Sequence, residues 1–158
     1  MSIETVKDHL RQWGRDKDII ELKESSATVL LAAEALGVIH ARIAKSISLK
    51  QGDKTVVVLI AGDMKLDNQK YKEYFGVKAK MLSQEEALIN TGHPIGGVCP
   101  FGLPDGVDVY LDVSMERFDT VFPACGSGNS AIELSLEELN TYSGSKKWVD
   151  ICKPMDMA

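Results

Sequence analysis

Hydrophobic positions at the start of the chain recur in helical steps. Ile3, Val6, Leu10 and Trp13 lie three or four residues apart, which predicts an amphipathic helix over residues 2–13 with Gly14 as its stop. A short strand is expected over 19–22, then an alanine- and leucine-rich helix over 27–36, with a serine just before it as N-cap and Gly37 as C-terminal stop. That helix is apolar nearly all round, so burial is expected. Over 41–49 the period changes to two: Ile43, Lys45, Ile47 and Leu49 share one face and Arg42, Ala44, Ser46 and Ser48 the other. The run 54–61, KTVVVLIA, is continuous and β-branched, as in a central strand covered on both sides. Farther on, the pattern predicts a helix over 68–75 closed by Gly76, a strand over 77–81, and a helix from the Ser83 cap through Ile89. It then predicts strands over 107–113, 120–122, 131–134 and 148–151, with a helix over 135–142 opened by a Ser135/Glu138 capping box. Strands and helices mix without a strict βαβ rhythm, so the expected fold class is α+β, with a central mixed β-sheet flanked by helices in one domain over 1–158.

Length and composition leave this picture unchanged: 158 residues, 44% hydrophobic and 26% charged, is ordinary for one globular core. The longest apolar run is too short to cross a bilayer, and the first residues lack the basic start and apolar centre of a signal peptide, which together predict a cytoplasmic protein. Cys99, Cys125 and Cys152 are widely spaced with no CxxC pair, so reduced thiols are expected. His9, His40 and His93 show no ligand spacing with one another or with the cysteines; no metal and no cofactor are expected. The formal net charge of −5 argues against a protein that coats duplex nucleic acid, but allows one that grips a single nucleotide end.

Candidate chemistry concentrates in three stretches. Residues 91–106, TGHPIGGVCPFGLPDG, hold five of the 13 glycines and three of the five prolines among apolar side chains, the make-up of an ordered loop that presents main-chain groups. Gly96-Gly97-Val98 would offer peptide N–H groups on a tight curve, with Pro100 holding the exit, a setting for an anion or a polarised carbonyl; a plain turn between buried segments is the alternative. Lys45 points the same way as three apolar side chains: either its stem lies on the core with the ammonium in solvent, or it sits inside a cleft, on a phosphate or tuned by its surroundings. Residues 124–130, ACGSGNS, form a second loop of small, hydrogen-bonding residues able to face the first. Neither loop is a Walker A or GxGxxG fingerprint. His93 and Cys99 are the nearest cysteine–histidine pair, but a cysteine beside a turn is more often an apolar filler, and His93 reads better as a hydrogen bonder in a pocket wall.

Taken together, AKSISL around Lys45, TGHPIGGVCPFG and GSGNSAIELSLEEL resemble, in order and spacing, the YbaK/EbsC family of prolyl-tRNA-synthetase-associated editing domains, over about residues 26–148. The resemblance implies hydrolysis of mischarged aminoacyl-tRNA by a free-standing proofreading deacylase, with the 3′ aminoacyl-adenosine end as ligand and prolyl-tRNA synthetase as a further partner. It assigns Lys45 to the phosphate or ribose of the terminal adenosine, and the amides of Gly96, Gly97 and Val98 to the ester carbonyl. Thr28, His93, Pro100, Gly126, Ser127, Asn129 and Ser130 become expected substrate contacts. An activated ester needs only a positioned water, helped by the substrate's own 2′-hydroxyl, so no Ser/His/Asp set is expected. Where some members carry aspartate before the third motif's IEL, this chain has Ala131, which leaves cysteine, alanine, serine, threonine or a small non-protein amino acid open. The alternative function is a non-catalytic aminoacyl-tRNA binding module. Lys45, Lys50, Lys54, Lys146 and Lys147 are the basic residues expected to border the pocket, although solvation alone accounts for the last four.

Overall fold

A computed structural model describes residues 2–155. The first helix, α1 (Ser2–Leu10), buries Val6 and Leu10 and tightens into a 3₁₀ turn, Arg11–Trp13, that ends at Gly14 in the left-handed conformation. After the short strand β1 (Ile20–Glu21), α2 (Val29–Leu36) begins two residues later than its apolar run suggested. Its cap is Thr28, whose hydroxyl accepts from the Leu31 amide, not one of the preceding serines. The expected burial of this helix holds for one face only. Ala32 and Ala33 pack on Ile43 and Phe122, while Leu30 is 52% and Leu31 39% exposed, because a helix at the sheet's margin has a single surface to cover.

The main sheet grows around a hairpin. β2 (Ile43–Gln51) and β3 (Lys54–Ala61) pair antiparallel from Ala44↔Ala61 to Gln51↔Lys54, across a two-residue Gly52-Asp53 turn with Gly52 at φ +61. β4 (Met64–Leu66) follows, then α3 (Asn68–Phe75) and α4 (Gln84–Thr91), each with a side-chain cap at the start and a left-handed glycine at the end. β5 (Asp108–Asp112) and β6 (Thr120–Pro123) come next, then the two-residue strands β7 (Ser130–Ala131) and β8 (Leu134–Ser135). α5 (Leu136–Ser143) opens with the expected Ser135/Glu138 capping box, and β9 (Lys147–Val149) and β10 (Cys152–Pro154) close the described chain.

The six-stranded sheet runs β8-β6-β2-β3-β5-β9, with parallel pairings β2–β6, β3–β5 and β5–β9 among antiparallel ones, so the fold is α+β with a mixed sheet. Two further ribbons, β1–β7 and β4–β10, sit apart from it. Apolar clusters cover both faces of β3: Val57, Leu59 and Ala61 look toward α1 and α5, Val56, Val58 and Ile60 toward α3.

Three expectations are corrected. Residues 77–81 form no strand; Met81 makes only an isolated bridge to Leu49. The single strand expected over 131–134 splits into β7 and β8, which join different partners on either side of buried Ile132. β4 and β10 were not expected; at three residues each they are too short to show alternation in sequence.

Candidate functional site

The site originates in a gap beside β2. On the side away from β3, β6 pairs only with Ile43 and Ala44. Farther along, Leu82 N–H donates to the Ser48 carbonyl at 3.1 Å and Lys50 N–H to the Lys80 carbonyl at 2.8 Å. Main-chain groups of alternate residues point to the same side of a strand, so Ser46, between these two attachments, directs its N–H and C=O into the unpaired interval. A cavity of about 230 Å³ occupies it. Its walls come from the α2 start (Thr28, Val29, Ala32), from β2, from Phe122 and Ala131, and from Ile95, Gly96 and Val98 of the Gly/Pro loop.

Lys45 lines this cavity, half-buried, and its Nζ donates to the Met64 carbonyl at 2.9 Å. Burial pushes its ammonium below the ordinary lysine value, partly offset by the nearby negative charges, Asp63 among them. Asp63 is itself held below the usual carboxylate range by a two-pronged pair with Arg117, at 2.7 and 2.9 Å. An ammonium has three donors; one goes to the Met64 carbonyl and one lies at 4.0 Å from the Met155 sulfur, a weak acceptor a ligand oxygen can displace. Ser46 adds a buried hydroxyl on the cavity wall that has no hydrogen-bond partner among the described residues.

The Gly/Pro loop contributes less than its composition suggested. Gly97 N–H closes a turn onto the Pro94 carbonyl at 2.9 Å, and Gly97 does not line the cavity, which corrects its expected place beside Gly96 and Val98. Its glycine is a packing requirement: a Cβ there would stand 2.7 Å from the Ser127 nitrogen. Gly96, at φ +93, and Val98 line the cavity, and neither amide has a partner among the described residues.

His93 is also corrected. It is fully buried under the loop, away from the cavity wall, with Nε2 donating to the Phe101 carbonyl at 2.8 Å and Nδ1 accepting from the Ser2 hydroxyl. That pattern needs the neutral ring, and burial lowers the His93 pKa accordingly. Cys99, buried 3.5 Å from His93 Nε2, has its thiol pushed up to about 12, which rules out a ready thiolate. Cys125 and Cys152 are likewise buried, free and raised.

In the second loop Ala124 and Ser130 line the cavity; Gly126, Ser127 and Asn129 do not, nor does Pro100. Asn129 Nδ2 donates to the Leu22 carbonyl at 2.9 Å, Leu22 N–H returns a bond to the Asn129 carbonyl at 2.7 Å, and Ser26 N–H donates to the Gly128 carbonyl at 2.6 Å. Ser127 Oγ lies 2.7 Å from Ser130 Oγ. This loop therefore braces residues 20–28 that carry Thr28 to the cavity. Of the basic residues named beside Lys45, none lines the cavity, in keeping with the solvation reading: Lys50 pairs with Glu86, and Lys54 and Lys146 with Asp108, while Lys147 sits on β9 at the far edge of the sheet. Ser46 is the site residue that sequence reasoning missed; its only signal was being the neighbour of Lys45 on a strand.

Among the described residues, no cluster of three or more His, Cys, Asp and Glu could hold a metal, and no helix is long and apolar enough to cross a membrane.

Comparison with known proteins identifies the family. Over 97% of the chain and 98% of the relative, it is 56% identical to the uncharacterized protein YwhH of Bacillus subtilis. Residues amounting to 68% of the chain are 29% identical to part of the proline–tRNA ligase of Citrifermentans bemidjiense, of which the match spans only 18%. A crystal structure described as a proposed trans-editing enzyme for prolyl tRNA synthetase superposes with a TM-score of 0.87 at 27% identity, covering 96% of this chain and 97% of that one. The family model of the aminoacyl-tRNA editing domain matches residues 23–142, the span that builds every wall of the cavity, and the chain belongs to that family.

Proposed function

We propose that the protein hydrolyses the ester of mischarged aminoacyl-tRNA, as a free-standing deacylase in the cytosol, on tRNA for proline carrying a small wrong amino acid. The observation that carries this reading is that Lys45 lines one small apolar cavity together with Gly96 and Val98, whose amides have no partner among the described residues. Attack of water on the ester carbonyl gathers negative charge on its oxygen, and fixed N–H donors in a dry site favour that charge. The bond from the carbonyl carbon to the ribose oxygen then breaks, and the proton lost by the water ends on the ribose. Among the described residues no histidine, cysteine or carboxylate lines the cavity, so the water is positioned without a side-chain base, with the substrate's 2′-hydroxyl as the proton carrier.

Size sets the division of labour. Ligand pockets for drug-sized molecules run to roughly 300–1,000 Å³, and about 230 Å³ holds an aminoacyl group but not the adenosine with it. The nucleoside stays at the mouth, where Ile95 and Met81 are exposed, and the Lys45 ammonium serves its ribose and phosphate. With Ala131, Ala32 and Ala44 lining the walls and no carboxylate, alanine, serine, threonine and small non-protein side chains suit the cavity, as does cysteine. The test is amino-acid release from a panel of tRNA-proline substrates charged with these residues. Turnover of at least one, with proline spared, is expected; tight binding of all without release would make the protein a binding module instead.

A further inference from the structure

The β4–β10 ribbon carries a feature the cavity does not explain. Its register sets Leu66 opposite Cys152, Lys65 opposite Lys153 and Met64 opposite Pro154. Met64, Leu66 and Cys152 pack inward on the cluster around Ile60, so the two lysines project together from the outer face, both exposed. Of the registered strand pairs among the described residues, this is the one that sets like charges directly opposite, an arrangement that costs stability. Neither lysine makes an ion pair among the described residues, whereas Lys50, Lys54, Lys70 and Lys146 all do. Asp67 accepts from the amides of Gln69 and Lys70 as the cap of α3 and also feels the charge of Lys153, without forming an ion pair with it.

The ribbon also touches the site. Lys45 Nζ bonds the carbonyl of Met64, the peptide that joins it to Lys65, and lies 4.0 Å from the sulfur of Met155 just past β10. Lys65 thus follows directly on the carbonyl that holds Lys45, and Lys153 stands opposite it across the ribbon. One lysine on the cavity wall and two on the adjoining ribbon thus gather positive charge, on a protein whose net charge of −5 would otherwise repel a polyanion.

We infer that Lys65 and Lys153 form a phosphate clamp for the single-stranded 3′ end of an RNA, leading it to Lys45 and the cavity. The clamp rests on the proposed RNA substrate, and supplies affinity and direction without touching the reacting bond. The cross-strand repulsion is then relieved when a phosphate lies between the two ammonium groups.

The experiment is fluorescence anisotropy of an uncharged hairpin RNA ending in CCA with the whole protein, titrated at several salt concentrations. Lys65→Glu/Lys153→Glu should weaken binding at least ten-fold and flatten the log–log salt dependence by about 0.7 for each lost contact on a single strand. The control Lys17→Glu/Lys147→Glu makes the same charge change elsewhere and should bind nearly as wild type. Both doubles should melt no lower than the wild type. Equal weakening in both doubles, unchanged binding in the ribbon double, or no RNA binding by the wild type each overturns the clamp. The deacylase reading is tested separately: RNA bound through the ribbon without ester turnover removes that reading and leaves the clamp, while turnover with a ribbon-independent KM does the reverse.

Discussion

The two glycine-bearing loops look alike in sequence and differ in where their polar groups are spent. In the Gly/Pro loop the amides of Gly96 and Val98 have no partner among the described residues, and both residues line the cavity. In the 126–130 loop the carbonyls, the Asn129 amide and the serine hydroxyls are taken up by residues 22–26 and by one another. The loops meet at Gly97, whose missing side chain lets the Ser127 backbone approach. Identity as a small polar loop thus says little about role; the unspent hydrogen-bonding groups decide which loop presents chemistry and which holds it in place.

The widest test of this contrast lies at its charged end. Lys45→Ala should lower deacylation at least about 10²-fold with the melting curve retained, the scale of losing one preorganised stabilising group; near-normal turnover would remove Lys45 from the site. Gly97→Val sits between the loops and should act on both, costing about 1–3 kcal/mol of stability through overpacking as well as activity, measured by denaturant unfolding beside kinetics. Activity loss without loss of stability would return the Gly97 amide to the chemistry. The bracing loop should respond the other way: Asn129→Ala should cost about 1 kcal/mol in unfolding, with kcat nearly unchanged. A kcat effect larger than the stability effect would make this loop part of the presenting side.

Two pH responses sharpen the same division. Because burial lowers the Lys45 pKa, the unfolded chain holds a proton at that side chain over a range where the folded one does not. Stability should therefore rise with pH from the lowered value up to 10.5, while deacylation, which uses the ammonium, falls as pH climbs through the lowered value. Lys45→Met should abolish that stability change. His93 is lowered as well, so its contribution is full above 6.5 and is lost as pH falls toward the folded value; His93→Gln should flatten the acid limb of a melting-temperature profile.

Much of the fold could be read from the chain because the relevant signals are local. Capping boxes at Ser83 and Ser135, left-handed glycines at 14, 37 and 76, and the β-branched run into Ala61 fixed their elements nearly to the residue. The β4 and β10 strands were invisible because a three-residue strand has no period, and the division of β7 from β8 depends on partners over 100 residues away for β7. Within the site, motif spacing located Lys45, Gly96 and Val98. It could not tell that the Gly97 amide closes a turn or that His93 faces Ser2, because both depend on which distant group arrives at hydrogen-bonding distance.

The gap beside β2 has a consequence for the order of assembly. The β2–β3 hairpin closes over two residues and can form by itself, whereas the cavity's other walls need β2–β6 and β1–β7 contacts spanning roughly 80 and 110 residues of chain. The hairpin is accordingly the natural nucleus and the cavity the late-formed part. Substitutions in the bracing loop should hasten unfolding while leaving the refolding rate almost untouched, and during synthesis no cavity can exist until Ala131 has left the ribosome.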